Sequence, residues 1–244
     1  MEVHHHSGGH QGSKHFKDYF QEFLMIFLAV TMGFLAENVR EYITDNNHVV
    51  ELAGQLREDL MNDTANIEKL VSSLRIQMNR TDSLYMLLTE PGKQKDFIRI
   101  QELIKSSDNM NVFYPSTGAI STIKTELHLK KFVQTKLASH IDNYEKKINV
   151  LHEVENRDLE YMGKILETFI SKHFTPENAA AAVMQKPYVN GTLRNLTDED
   201  LVQLSVDINL LKAYNRQLLF RCLEIKSDAV LFIQHINTTY RLDE

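Results

Sequence analysis

Imidazoles are the side chains here best suited to chemistry. Five of the eleven histidines, His4, His5, His6, His10 and His15, crowd the first fifteen residues beside Gly8, Gly9 and Gly12. A His-rich tract can bind transition metals. Glycine-rich backbone holds no fixed ligand geometry, so residues 1–18 are expected to form a disordered tail. A di-iron bundle needs Glu-x-x-His pairs on facing helices. No histidine here has a Glu three positions before it, and Asp45 with His48 is the nearest approach. His152-Glu153 runs on to no second histidine, so the His-Glu-x-x-His zinc signature is missing. Glu145, His152, Glu153 and Glu155 form one acidic group, and Asp228 with His235 another; both are expected to be solvated helix faces. Cys222 is the sole cysteine, set among Phe220, Leu223 and Ile225, and reads as a small core residue. The chain lacks Gly-x-Gly-x-x-Gly, a Walker loop and Gly-x-Ser-x-Gly. The expectation is a non-enzymatic protein with no catalytic, cofactor or metal site.

Charge narrows the partners. The formal balance is -6, and the densest basic stretch, Lys124, Lys130, Lys131 and Lys136, suits a solvated helix face. Nothing resembles the basic stripe of a nucleic-acid binder.

The elements that would carry these residues are long helices. Only 9 Gly and 4 Pro interrupt 244 residues. Leu52, Leu56, Ile67, Leu70, Leu74 and Leu88 recur at helical spacing over residues 37–90, and Glu90-Pro91-Gly92 ends the run. A shorter amphipathic stretch covers 94–107. Tyr114-Pro115-Ser116-Thr117-Gly118 reads as a turn into a second long helix over 120–173, with Val133, Leu137, Ile141, Tyr144, Ile148 and Leu151 as its seam. Thr175-Pro176-Glu177 starts a short helix. Thr197-Asp198-Glu199-Asp200 caps the last one. In it Leu201, Leu204, Ile208, Leu211, Asn215, Leu218, Cys222, Ile225, Ala229, Phe232 and Ile236 alternate by three and four, a heptad seam with one buried amide. That seam could close on the same chain or on a second subunit. The fold expected is all-α: an elongated antiparallel bundle of three coiled-coil-like long helices.

Residues Phe23 to Ala36 carry no charge and are apolar on every face. Extended to residues 19–38, the stretch approaches the length needed to cross a hydrocarbon core of about 30 Å. A transmembrane helix is therefore expected there, with the lipid bilayer as its first partner. Lys14 and Lys17 precede it, while Glu37, Arg40, Glu41 and Asp45 follow. The positive side stays inside, so the tail is expected in the cytoplasm and residues 39–244 outside it. Ala29, Gly33 and Ala36 place small residues on one stripe, where a second membrane helix could approach closely. Self-association, or association with another membrane protein, is the partner expectation.

The run from Tyr19 to Glu41, with its apolar core and Glu37-Asn38 exit, resembles the start of a family of uncharacterised bacterial single-pass membrane proteins, a domain of unknown function. Phe113-Tyr114-Pro115-Ser116-Thr117-Gly118, followed by Ile120, Ile123 and Leu127, is similar to that family's mid-domain turn and helix. Val39 stands near where members commonly carry Trp, and a Ser-Gly pair usual in the mid-domain helix is replaced by residues 124–130. The resemblance implies an inner-membrane location and a helical periplasmic domain, and it carries no activity or binding residue. Two functions fit: an interaction or scaffold component of the envelope, or an extracytoplasmic ligand-sensing bundle acting through a membrane partner.

Overall fold

The computed structural model describes residues 16–90, 96–106, 112–125 and 136–242. The five tail histidines lie outside these residues, as do the Pro91-Gly92 break, Lys130, Lys131 and Val133. Six helices occur among the described residues: α1 (Phe16–Thr89), α2 (Phe97–Ser106), α3 (Gly118–Thr125), α4 (Leu137–His173), α5 (Pro176–Val183) and α6 (Asp198–Tyr240). The fold is all-α; one isolated bridge, Phe174 with Leu193, is the sole β contact among them. The chain divides into two compact units, 1–50 and 51–244.

In the first unit, α1 holds an 18-residue window of mean hydropathy 1.6, none of it buried. This helix is long and apolar enough to cross a membrane. Phe23 and Phe27, one turn apart, stack at 6.1 Å. Polar character resumes at Glu37, which accepts two hydrogen bonds from Arg40.

The second unit is a bundle whose directions follow from its cross-helix pairs. Between α1 and α6, Glu68 meets Lys226 and Asp82 meets Lys212. One number rises as the other falls, so these helices are antiparallel. The same holds for α4 and α6, where His140 faces His235, Arg157 bonds Gln217 and Lys172 bonds Asp200. Between α1 and α4, Asp63 meets Tyr144 and Gln77 meets Met162, so these two run parallel. The missing return is made by α2 and α3: Arg80 bonds the Ser106 carbonyl, Asp63 the Ser116 amide and Asp59 the Ala119 amide. The bundle therefore has four rods, the second of them broken at residues 112–117.

This corrects two expectations. Three long helices are joined by a fourth, broken rod. The helix expected over 120–173 is two helices, α3 ending at Thr125 and α4 starting at Leu137 in the opposite direction. Periodicity hid the reversal because Ile123 and Leu137 are two heptads apart, so the apolar phase survives it. The warning was composition: Lys130, one heptad from both Ile123 and Leu137, stands where that seam would need an apolar side chain. At the start of α4, Lys136 takes the left-handed φ of 60° with no side-chain cap.

Burial fixes the core. Leu52, Leu56, Leu60, Ile67, Leu74 and Leu84 of α1 are at most 2% exposed. On α6 every seam position from Leu204 to Ile236 is buried, whereas Leu201 is half-buried. Thr197 and Asp200 form the expected capping box. At the far end α5 closes the bundle through Asn178, whose amide donates to Gln101 Oε1 and the Asn190 carbonyl and accepts from the Val189 amide.

Candidate functional site

The broken rod holds the most constrained polar geometry in the bundle. Residues 112–117 adopt no helix, so their amides and carbonyls need partners from elsewhere. Side chains of two neighbouring helices supply three of them, at Phe113 and Ser116. Asp63 Oδ1 accepts from the Ser116 amide at 2.7 Å, and Asp59 Oδ2 from the Ala119 amide at 3.0 Å. From α4, Glu155 Oε1 accepts from the Phe113 amide at 2.9 Å, while His152 Nε2 donates to the Phe113 carbonyl at 3.0 Å. Asp63 Oδ2 also accepts from the Tyr144 hydroxyl at 2.8 Å, which ties α1, the turn and α4 into one network. Phe113 plugs the core at 2% exposure, and Tyr114 stands out at 78%. A cleft of about 440 Å³ flanks the turn between Pro115, Ser121, Lys124, Asn149 and His152.

Burial sets the electrostatics. It raises the Asp63 carboxyl, with the Ser116 and Tyr144 hydrogen bonds acting the other way. It raises Glu155 too, opposed by the Phe113 amide and His152. The Tyr144 phenol is driven up by burial and by the adjacent Asp63 charge. The acidic group on α4 is thus no solvated face, contrary to expectation: Glu155 is 1% exposed and holds backbone. Only its rim is solvated, where Glu145 pairs with Lys124 and Glu153 is exposed. Asp228 and His235 do face the same way, but each is engaged, Asp228 by Lys147 and His235 by the His140 ring.

One layer further along, polar groups sit in the core without partners. Asp158 and Asn215 are both 0% exposed, and neither side chain has a hydrogen-bond partner among the described residues. The Arg157–Gln217 bond and the Tyr161–Tyr214 ring contact at 5.1 Å put them at one level of the α4–α6 pair. Burial pushes the Asp158 carboxyl up to about 7, against the pull of Arg157. Burial, then the nearby Glu155 charge, raises the Cys222 thiol to about 12, so it is no thiolate nucleophile near neutral pH.

A second cleft, of about 290 Å³, opens between α4 and α6 near the capped end. Buried Ile165, Phe169 and Leu204 form its floor; Lys164, Lys172, Asp200 and Asp207 stand around it. Lys172 bonds Asp200 at 2.6 Å and holds that carboxyl well below the usual range. Elsewhere on α6, Val202, Val206, Phe220 and Leu231 stay about half exposed or more, on the face opposite the buried seam.

The residues singled out in sequence separate cleanly. Leu204, Ile208, Leu211, Asn215, Leu218, Cys222 and Ile225 close within this one chain. Ala29, Gly33 and Ala36 are exposed, and a Cβ built on Gly33 meets nothing within 4 Å. Among the described residues no cluster of His, Cys, Asp or Glu could hold a metal ion. Asp59, Asp63 and Asp158 escaped sequence reading, yet for the last two a signal existed. Asp63 falls on the apolar seam between Leu60 and Ile67, and Asp158 between Leu151 and Ile165. No protein-family model matches the chain, and comparison with curated proteins and with solved structures likewise finds no match.

Proposed function

We propose that this chain is a tethered, non-enzymatic helical protein of a bacterial cell envelope, in which residues 19–38 span the inner membrane and the bundle holds a protein partner. The observation that carries the reading is the wholly unburied apolar window of α1. Exposed phenylalanines and leucines in such number are costly in water and favourable in lipid. The positive flank at Lys14 and Lys17 supports a cytoplasmic tail and a periplasmic bundle. The resemblance of Tyr19–Glu41 to bacterial single-pass proteins supports the same placement. For partner binding, support comes from the gripped turn presenting Tyr114 and from the outward apolar face of α6, features typical of protein contact surfaces. The Ala29, Gly33 and Ala36 stripe would serve self-association in the bilayer.

Alkaline carbonate extraction tests the tether. The full-length chain should stay in the membrane pellet, and release into the wash sinks the reading. N-terminal sequencing of the mature chain separates an anchor, with residues 19–38 retained, from a cleaved leader. A reporter fused after Glu244 should be active only outside the cytoplasm. Cross-linking in native membranes should capture a dimer or a heteromeric complex; monomers alone would count against partner binding.

A further inference from the structure

We infer that the cleft between α4 and α6 binds a small zwitterion bearing an apolar side chain, of the size and chemistry of a leucine- or phenylalanine-like amino acid. The inference rests on the bundle alone and holds whether or not the chain is tethered. Its basis is a charge count around an apolar floor. Lys172 and Asp200 neutralise each other at 2.6 Å. His173, buried beneath them, uses Nδ1 on the Arg194 carbonyl at 3.1 Å and turns Nε2 toward Asp200 at 3.6 Å. Two charges remain. Lys164, on the α4 wall, has no ion-pair partner among the described residues. Asp207, on the α6 wall, accepts only from neutral donors, the Tyr161 hydroxyl at 3.3 Å and Gln203 Nε2 at 3.2 Å.

One cation on α4 and one anion on α6 thus line the same cleft as the buried Ile165, Phe169 and Leu204. A molecule carrying both an ammonium and a carboxylate answers both walls without adding net charge. A simple acid or a simple amine would answer one and leave the other. The floor suits an apolar group, and its Phe169 ring lies 4.8 Å from the His173 ring. At about 290 Å³ the cleft lies at the small end of the range for ligand sites, which runs from roughly 300 to 1,000 Å³.

Calorimetric titration of the full-length protein in detergent tests this. Leucine and phenylalanine are the probes. Glycine, 3-phenylpropionate and phenethylamine are the comparators, lacking in turn the apolar group, the ammonium and the carboxylate. At least one probe should bind saturably, and each comparator about ten-fold more weakly or worse, the worth of one charge-assisted hydrogen bond or of a well-buried side chain. Lys164→Gln and Asp207→Asn should each weaken binding about ten-fold while leaving the helical circular dichroism unchanged. Lys164 is exposed and Asp207 is half-buried with Asn as its isostere, so the variants are expected to fold. Three results would each overturn the inference: no binding of either probe tighter than about 10 mM, 3-phenylpropionate or phenethylamine binding as tightly as phenylalanine, or full affinity in both variants.

Discussion

Replacing Asp158 with Asn should flatten a pH dependence that the native chain carries. Asp158 is 0% exposed, and burial raises its carboxyl from the ordinary 3.8 to about 7. The folded chain therefore holds that proton more tightly than the unfolded chain. Its contribution to stability is complete below about pH 4, falls as pH climbs toward 7, and levels off above. Over the whole window the loss is roughly 4 kcal/mol, with roughly 3 kcal/mol of it between pH 5 and pH 8. With a urea slope of about 2 kcal/mol/M, Asp158 alone should lower the native midpoint by about 1.5 M across that interval. His140 works in the other direction. Burial, His235 and Lys136 hold its imidazole below the usual value, so its contribution is lost as pH falls. Asp158→Asn leaves His140 untouched, so the difference between the two proteins isolates Asp158. The measurement is urea unfolding of the full-length protein in detergent, followed by circular dichroism at both pH values. The variant should gain on the native chain as pH rises. Parallel curves, or a gain at pH 5 and none at pH 8, would refute the buried-carboxyl account.

Three further perturbations probe the same architecture. Asp63→Ala removes the acceptor for both the Ser116 amide and the Tyr144 hydroxyl, and should cost about 2–4 kcal/mol; hydrogen exchange at Ser116 should accelerate selectively. Asn215→Leu replaces an amide with no partner among the described residues by a seam residue, and should raise the urea midpoint by the equivalent of about 1–2 kcal/mol. Thr197→Ala breaks the capping box of α6 and should cost about 1 kcal/mol, read as a lower midpoint with unchanged slope.

The heptad seam of α6 was legible in sequence because it never slips and because its cap residues announce its start. The exposed apolar stretch of α1 was legible because no charge breaks it over Phe23–Ala36. What stayed hidden was direction. Ile123 and Leu137 keep one phase through a reversal, so spacing alone reads α3 and α4 as one rod. The grip on residues 113–119 was hidden for a related reason. Asp63, Glu155 and Asp158 look like ordinary charges on soluble helices until they are set against the seam they interrupt. A carboxylate at a seam position is a question about what it holds, and for two of the three the answer is main chain from elsewhere or a neighbouring phenol. Asp59 gave no such hint, since it lies off the seam and acts only through its reach to the Ala119 amide. The α4–α6 cleft depends on which charges neutralise each other across helices, and one-dimensional spacing does not record that.

The grip on the turn falls on backbone: Phe113, Ser116 and Ala119 offer amides, and Phe113 its carbonyl. Shape and identity at this spot are thereby uncoupled. Substitutions at Tyr114 or Ser116 can retune what the surface meets while Asp59, Asp63, His152 and Glu155 keep presenting it at one fixed angle. Such a mount lets the exposed side chains drift over generations at almost no cost to the scaffold beneath them.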